Sequence, residues 1–449
     1  MPKTSRNDWW SCDGDGHAAA SVAKPRITPA VTRRGVLTGV AVGAVGWLAG
    51  TRALAQLAVT PKSVPGKRDV LVSLFLRGGM DGLNVVVPYG EDAYYGLRPS
   101  LSIARPRDAS AKPADRCLDL DGFFGLNAAL APLLPSYREG KLAFIHAIGS
   151  GDPSHSHFEA MDAMERGLDR AGQAASGWLS RHLLATPAKK ETPLRAVALG
   201  NTLPTSLSGA TDALAMESVD QFKLNLDPAQ EPAFQRGLKE MYGEGKDMLT
   251  TAGRETLEVL DTLNRLNPAA YKASNGAVYP KSDLAQALRQ VAFLIRADVG
   301  LEVAVLDRGG WDTHFIQGST SGLLSNQLDD VGKSLAAFVQ DLGVELDCVT
   351  VVMQTEFGRR AYENSSGGTD HGHGSVMTVL GGGTKGGKVY GKWPGLKEHQ
   401  LDGPGDLAVT TDYRTVLGEV LARRMGNKDL ASVFPDFGVS ALGLVNPSV

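Results

Sequence analysis

The stretch "VLVSLFLRGGMDGLN", residues 70–84, decides the fold. Its first seven residues are apolar except for Ser73, and they run straight into glycines and a carboxylate. A strand with one wet face alternates apolar and polar residues. A strand without alternation is buried on both faces, as in a parallel sheet covered by helices on each side. Runs of the same kind recur as "LAFIHAI" (142–148), "RAVALG" (195–200), "LEVAVLD" (301–307), "CVTVVMQ" (348–354) and "VMTVLGG" (376–382).

Helical patterns lie between them. "SDLAQALRQVAFLIRADVG" (282–300) and "SNQLDDVGKSLAAFVQDLG" (325–343) place apolar residues at three- and four-residue steps and end at glycine. Strands alternating with helices predict an α/β fold: a doubly wound, mostly parallel sheet with helices on both faces. Residues from about 205 to 275 are polar, helical in pattern and without a strand candidate. They read as a helical insertion or lid within a single domain spanning 56–449.

The first 55 residues read as an export signal. Arg33 and Arg34 precede a short run rich in Gly, Ala and Val that closes on Ala53-Leu54-Ala55, a small-residue cleavage site before Gln56. Thr32-Arg33-Arg34-Gly35-Val36-Leu37 is similar to a twin-arginine signal, with Val36 where an aromatic is usual. The expected location is therefore periplasmic or extracellular, reached through the twin-arginine export machinery, which passes folded, cofactor-loaded proteins. An ordinary export signal or an uncleaved anchor is the alternative. No later stretch approaches a membrane-spanning length.

Without that segment the chain carries 39 positive and 46 negative side chains, a mildly acidic balance that argues against nucleic acid as a partner. Cys117 and Cys348 remain, far apart in sequence, and read as buried thiols, with one disulfide as the alternative.

Ligands of such sheets gather beyond the carboxyl ends of the strands. After 70–76 come Arg77, Asp81 and Asn84; after 142–148 come Asp152, Ser154, Ser156 and His157; after 301–307 come Asp312 and His314; after 348–354 come Glu356 and Arg359. "GGTDHGHGSVMTVLGGG" (367–383) adds Asp370, His371 and His373 just before the next strand. Five of the eight histidines beyond residue 55 fall in these loops: His155, His157, His314, His371 and His373. Asp312 with His314, and His371 with His373, are two residues apart, so in extended chain each pair points to one side.

Asp81, Asp312, His314, Glu356, Asp370, His371 and His373 form the expected metal shell. Mixed carboxylate and imidazole suits Zn, Mn or Fe, while Mg or Ca would want oxygen alone. Two ions about 4 Å apart would clamp both oxygens of a phosphoryl or sulfuryl transfer. Each residue also has a plain structural reading: Asp81 as a turn aspartate, Glu356 paired with Arg359, the histidines bonded within their loops.

Ser156 fits an N-cap, with Glu159 completing a capping box, a role that needs no chemistry; a helix N-terminus would also suit a nucleophile there. Arg77 and Arg359, with Asn84 and His157, are the expected binders of an anionic substrate.

"FLRGGMDGLNVVVPYG", "SHFEAMDAMERG", "GWDTH", "EFGR", "GGTDHGHGSVMTVLGGG", "VYGKWPGL" and "TTDYRTVLGEVL" together resemble the exported bacterial family known as domain of unknown function 1501. That family is grouped with the alkaline phosphatase–sulfatase superfamily, so the resemblance implies a doubly wound fold and a binuclear metal centre. It implies metal roles for Asp81, Asp312, His314 and His371 or His373, and a nucleophile at Ser156 or Ser154. Two features depart from superfamily practice. Glu356-Phe357 stands where an Asp-His pair is usual, and no sulfatase Cys/Ser-x-Pro-Ser-Arg signature is present.

The expected function is a metal-dependent hydrolase of a small or polymeric phosphate or sulfate ester, in which Ser156 or metal-activated water attacks. The alternative is a non-catalytic periplasmic scaffold or binding protein on the same fold. A redox enzyme lacks its dinucleotide fingerprint and cysteine site.

Overall fold

The structure, a computed structural model, describes residues 69–448 apart from 171–173, 175, 189, 191, 225, 228 and 246. The export-signal reading falls on residues outside that range.

Nine strands make the central sheet. In chain order they are β1 (Val70–Leu76), β2 (Leu142–Gly149), β3 (Ala196–Leu199), β4 (Ala213–Met216), β5 (Val303–Arg308), β6 (Val349–Gln354), β7 (Ser375–Gly381), β8 (Val389–Tyr390) and β9 (Thr411–Asp412). Their spatial order is β8-β2-β7-β6-β1-β5-β3-β4, with β9 also pairing to β2. The pairs of β1 with β5 and β6, of β3 with β4 and β5, and of β2 with β8 and β9 are all parallel. Only β7 runs against its neighbours, antiparallel to both β2 and β6. The sheet is thus mixed and mostly parallel, within an α/β chain.

The helices used below are α1 (His157–Arg166), α2 (Trp178–Ala185), α3 (Glu231–Gly243), α4 (Met248–Leu266), α5 (Asp283–Arg296), α6 (Leu323–Leu342) and α7 (Tyr413–Arg423). All seven residues of β1 are buried, and its alternate side chains enter different cores. Val70, Val72, Leu74 and Leu76 pack with the apolar stripes of α5 and α6. Leu71 and Phe75 join the cluster that holds Trp178 and Leu179 of α2 and Val416 and Val420 of α7. The absence of alternation in the sequence is the signature of this two-sided burial.

The stretch from 205 to 275 corrects one expectation. It contains α3 and α4, but also β4, a four-residue strand that pairs in parallel with β3. β4 escapes sequence reading because Ala-Leu-Ala-Met has little β-propensity and pairs along one side only. Val259 and Leu263 of α4 are buried against the main core.

No helix among the described residues is long and apolar enough to cross a membrane. No disulfide joins Cys117 to Cys348.

The single reversed strand has a consequence for the site. Because β7 is antiparallel, the loop before it, with Asp370, His371 and His373, lies at the same sheet edge as the loops after β1, β2, β5 and β6. The sequence-predicted residues therefore meet at one end of the sheet from five separate stretches of chain.

Candidate metal centre

His157 is the first residue of α1, and its ring stands among those loops. Its Nδ1 lies 2.6 Å from Glu356 Oε1 and its Nε2 3.4 Å from Asp312 Oδ1. His371 directs Nδ1 to the His155 carbonyl at 2.8 Å and Nε2 to Asp312 Oδ1 at 3.1 Å. His314 directs Nδ1 to Asp370 Oδ1 at 3.3 Å, and its Nε2 lies 3.1 Å from Asp312 Oδ1 and 2.9 Å from His371 Nε2.

Each Nδ1 faces an accepting oxygen, and each Nε2 faces Asp312 Oδ1, which also accepts; a cation on the Nε2 side would settle the hydrogen of each ring on Nδ1. Three imidazole nitrogens thus turn toward one carboxylate oxygen. His157 Nε2 is buried and without a hydrogen-bond partner, 3.4 Å from Asp312 Oδ1.

One ligand atom each from His157, Asp312 and His371 fits within a 4.8 Å span. A tetrahedral zinc with bonds near 2.0–2.1 Å holds its donors about 3.3 Å apart. Histidines that hold a metal through Nε2 usually donate Nδ1–H to a carboxylate or carbonyl, and all three rings here set Nδ1 beside such an oxygen. The residues present fit a divalent ion.

The electrostatics agree. Burial pushes His371 down, only partly opposed by its bonds to the His155 carbonyl and Asp312, so the ring favours its neutral form. The bond to Glu356 raises His157 above the usual histidine value, against burial, and makes its ring a more basic ligand. Burial alone would raise Asp312, but the bond and charge of Arg359 outweigh it and hold the carboxyl at about 2. The hydrogen bond from Asn364 lowers Asp370.

The other predicted residues have different places. Glu356 is 1% exposed; its Oε1 accepts from Gly78 N at 2.8 Å besides His157, and its Oε2 accepts from Thr355 at 3.0 Å. It stands behind His157 and orients it. Asp81 is outside the cluster, fully buried against Arg98 and Gln317. Asn84 is buried beside it, donating to Leu101 O and accepting from Tyr94 and Arg98.

His373 points Nε2 at the Ser150 carbonyl, 2.8 Å away. Arg77 pairs with Glu165 and Asp307 at 2.9 and 3.0 Å. Arg359 has no exposed side-chain surface; it donates to the carbonyls of Gly78, Gly79, Trp311 and Thr369 and, at 2.6 Å, to Asp312. It ties the loops together instead of facing a substrate. Ser156 is the N-cap of α1 by position, yet its hydroxyl makes no capping bond, and Glu159 is exposed.

Sequence reading gave His157 a substrate-binding place, placed His155 among the loop histidines without a role and did not single out Asp406; these last two bond to each other at 2.6 Å. The signal for His157 was present: "HSH" repeats the two-residue histidine spacing of 371–373. Asp406 has no such signal in "DGPGDL".

Among solved structures, an alkaline phosphatase from the Antarctic bacterium TAB5 aligns over 72% of this chain and 95% of its own, at 11% identity and a TM-score of 0.28. That likeness is too slight to carry an argument. No curated protein matches the chain. A family model described as Protein of unknown function (DUF1501) matches residues 143–434, from β2 through the end of α7 and beyond, and the chain belongs to that family.

Proposed function

We propose that this chain is an exported, metal-dependent hydrolase of a phosphate or sulfate ester, built on a doubly wound, alkaline phosphatase-like fold with α3 and α4 as a helical insertion. The observation that carries the reading is the convergence of His157, His314 and His371 Nε2 on Asp312 Oδ1, at 3.1 to 3.4 Å. This set of three imidazoles and one carboxylate favours zinc, with manganese and iron next. Such an ion, when bound, polarises an ester oxygen and brings the pKa of water near 7.

The chain's own groups do the rest. Glu356, the His155 carbonyl and Asp370 hold the three rings in register, and Arg359 holds Asp312. Ser156 brings an uncapped hydroxyl between His155 and His157, at the positive end of α1. Phe158 and Phe315, chain neighbours of His157 and His314, are 85% and 67% exposed and offer an apolar surface to the organic part of an ester. The export route and a periplasmic or extracellular location follow from residues 1–55 as read in the sequence.

Metal content by mass spectrometry on the mature protein, beside His157→Ala/His371→Ala, tests the centre. Aryl phosphate, phosphodiester and aryl sulfate, each with and without chelator, test the chemistry. Stoichiometric metal lost in the variant, with chelator-sensitive turnover of one ester, is the expected result. Wild type that stays folded and empty after incubation with Zn, Mn and Mg sinks the reading.

A non-catalytic binding protein is the second reading, favoured by the engagement of Arg77 and Arg359 with protein carboxylates and carbonyls. It predicts bound metal with no turnover of any ester.

A further inference from the structure

We infer that Asp406 and His155 are a positioning pair that sets the ring of His371, and with it the start of α1, for the metal centre. The inference rests on that centre being the site proposed above.

His155 has a left-handed backbone, φ 53°, one of seven such non-glycine residues among those described. A non-glycine residue adopts that conformation at some steric cost, which a specific contact can offset. The contact that holds it is with Asp406. His155 Nε2 meets Asp406 Oδ2 at 2.6 Å, and the Asp406 side chain is 3% exposed. Asp406 is itself fixed by the short hairpin of Leu401–Asp402 with Asp406–Leu407 and by a backbone bridge to Arg360.

With its ring anchored in this way, His155 turns its carbonyl to His371 Nδ1 at 2.8 Å. That bond holds a hydrogen on Nδ1 of His371 and turns its Nε2 toward Asp312 Oδ1. The next two residues are Ser156 and His157, so the same anchor sets the chain where α1 begins. One carboxylate outside the cluster thus acts through one strained residue on two ring ligands.

His155→Ala, Asp406→Ala, Asp406→Asn and the double alanine variant test it by two measurements. Zinc dissociation constants come from competition with a chromogenic chelator. The tautomer of His371 comes from nitrogen–proton correlation spectra of histidine-labelled, metal-free protein, which reads the positioning whether or not zinc binds.

Either alanine change weakens zinc about 10–100-fold, the range for losing a group that orients a metal ligand. The double variant loses no more than the worse single, because both remove one device. Asp406→Asn keeps an acceptor for His155 and stays near wild type. In metal-free Asp406→Ala, His371 no longer holds a single Nδ1–H tautomer. An unchanged His371 tautomer in both alanine variants overturns the inference, as does zinc affinity equal to wild type in both. A wild type that takes up no zinc but loses its His371 tautomer in Asp406→Ala overturns the metal centre and leaves the positioning intact.

Discussion

Arg98 grips Asp81 with both of its terminal nitrogens, at 2.6 and 2.9 Å, and neither side chain has any exposed surface. Gln317 adds a third donor at 2.7 Å, so the oxygens that sequence reading assigned to a metal are occupied by protein. Removing one member of a buried, hydrogen-bonded pair leaves the other charge uncompensated. Asp81→Ala should therefore cost about 3–5 kcal/mol in urea unfolding. It should leave the metal content of the remaining folded protein unchanged. Loss of metal from a variant that melts like wild type would return Asp81 to the centre.

Glu356 bonds to His157 alone among the three clustered histidines. Its bond is the leading cause of the raised proton affinity of His157, so protons compete with metal there from a higher pH than at an ordinary histidine. Zinc affinity should fall as pH drops through the histidine range. In Glu356→Gln the fall should begin at lower pH, because the ring is less basic, while affinity at high pH drops about 10–100-fold. Identical pH profiles for the two proteins would show that Glu356 does not reach the metal through His157.

His146 supplies a pH effect on stability remote from the centre. It is 2% exposed, donates Nε2–H to Val86 O and accepts from Ala147 N at Nδ1, both at 2.9 Å, which only the neutral ring can do. Burial brings it down to about 4. A depressed histidine favours the fold while both states are neutral, above the unfolded value near 6.5. Below that the unfolded chain takes the proton first, and stability is lost as pH falls toward 4. The loss is about 3 kcal/mol in all, at up to about 1.4 kcal/mol per pH unit. His146→Phe should flatten that part of the stability–pH curve; a curve parallel to wild type from pH 6.5 to 4 would contradict the assignment.

The sequence pattern carried the sheet because two-sided burial leaves a local trace. Each residue of β1 is buried, so the strand reads as apolar but for Ser73 whatever lies around it. β4 left no trace because its hydrogen bonds to β3 hold it and its composition does not. The site divides in the same way. Asp312, His314, Asp370 and His371 were legible because their loops follow or precede legible strands. The role of Asp81 depended on Arg98, 17 residues along in a loop without pattern. That of Glu356 depended on whether His157, 199 residues away, would turn Nδ1 or Nε2 toward it. Spacing within one segment says nothing about such partners, and a charged residue beyond a strand looks alike whether it holds an ion, a ring or a guanidinium.

Arg359 shows how far this matters for the assembled site. Its guanidinium reaches Gly78 and Gly79 after β1, Trp311 and Asp312 after β5, and Thr369 before β7. It crosses three loops that no backbone ladder joins into one strand pair. A planar fork of donors satisfies these acceptors together; a lysine has one nitrogen on a flexible stem and cannot. Arg359→Lys keeps the charge near Asp312 yet leaves several buried carbonyls without a donor, at about 1–3 kcal/mol each. The fall in unfolding free energy should exceed about 2 kcal/mol. The Asp312 carboxyl should rise above the value Arg359 now holds, since that guanidinium bond outweighs burial. Carbon NMR of labelled aspartate in metal-free protein reads this directly. If Arg359→Lys unfolds with wild type and Asp312 titrates unchanged, the loops are held by their own turns and the guanidinium is a passenger.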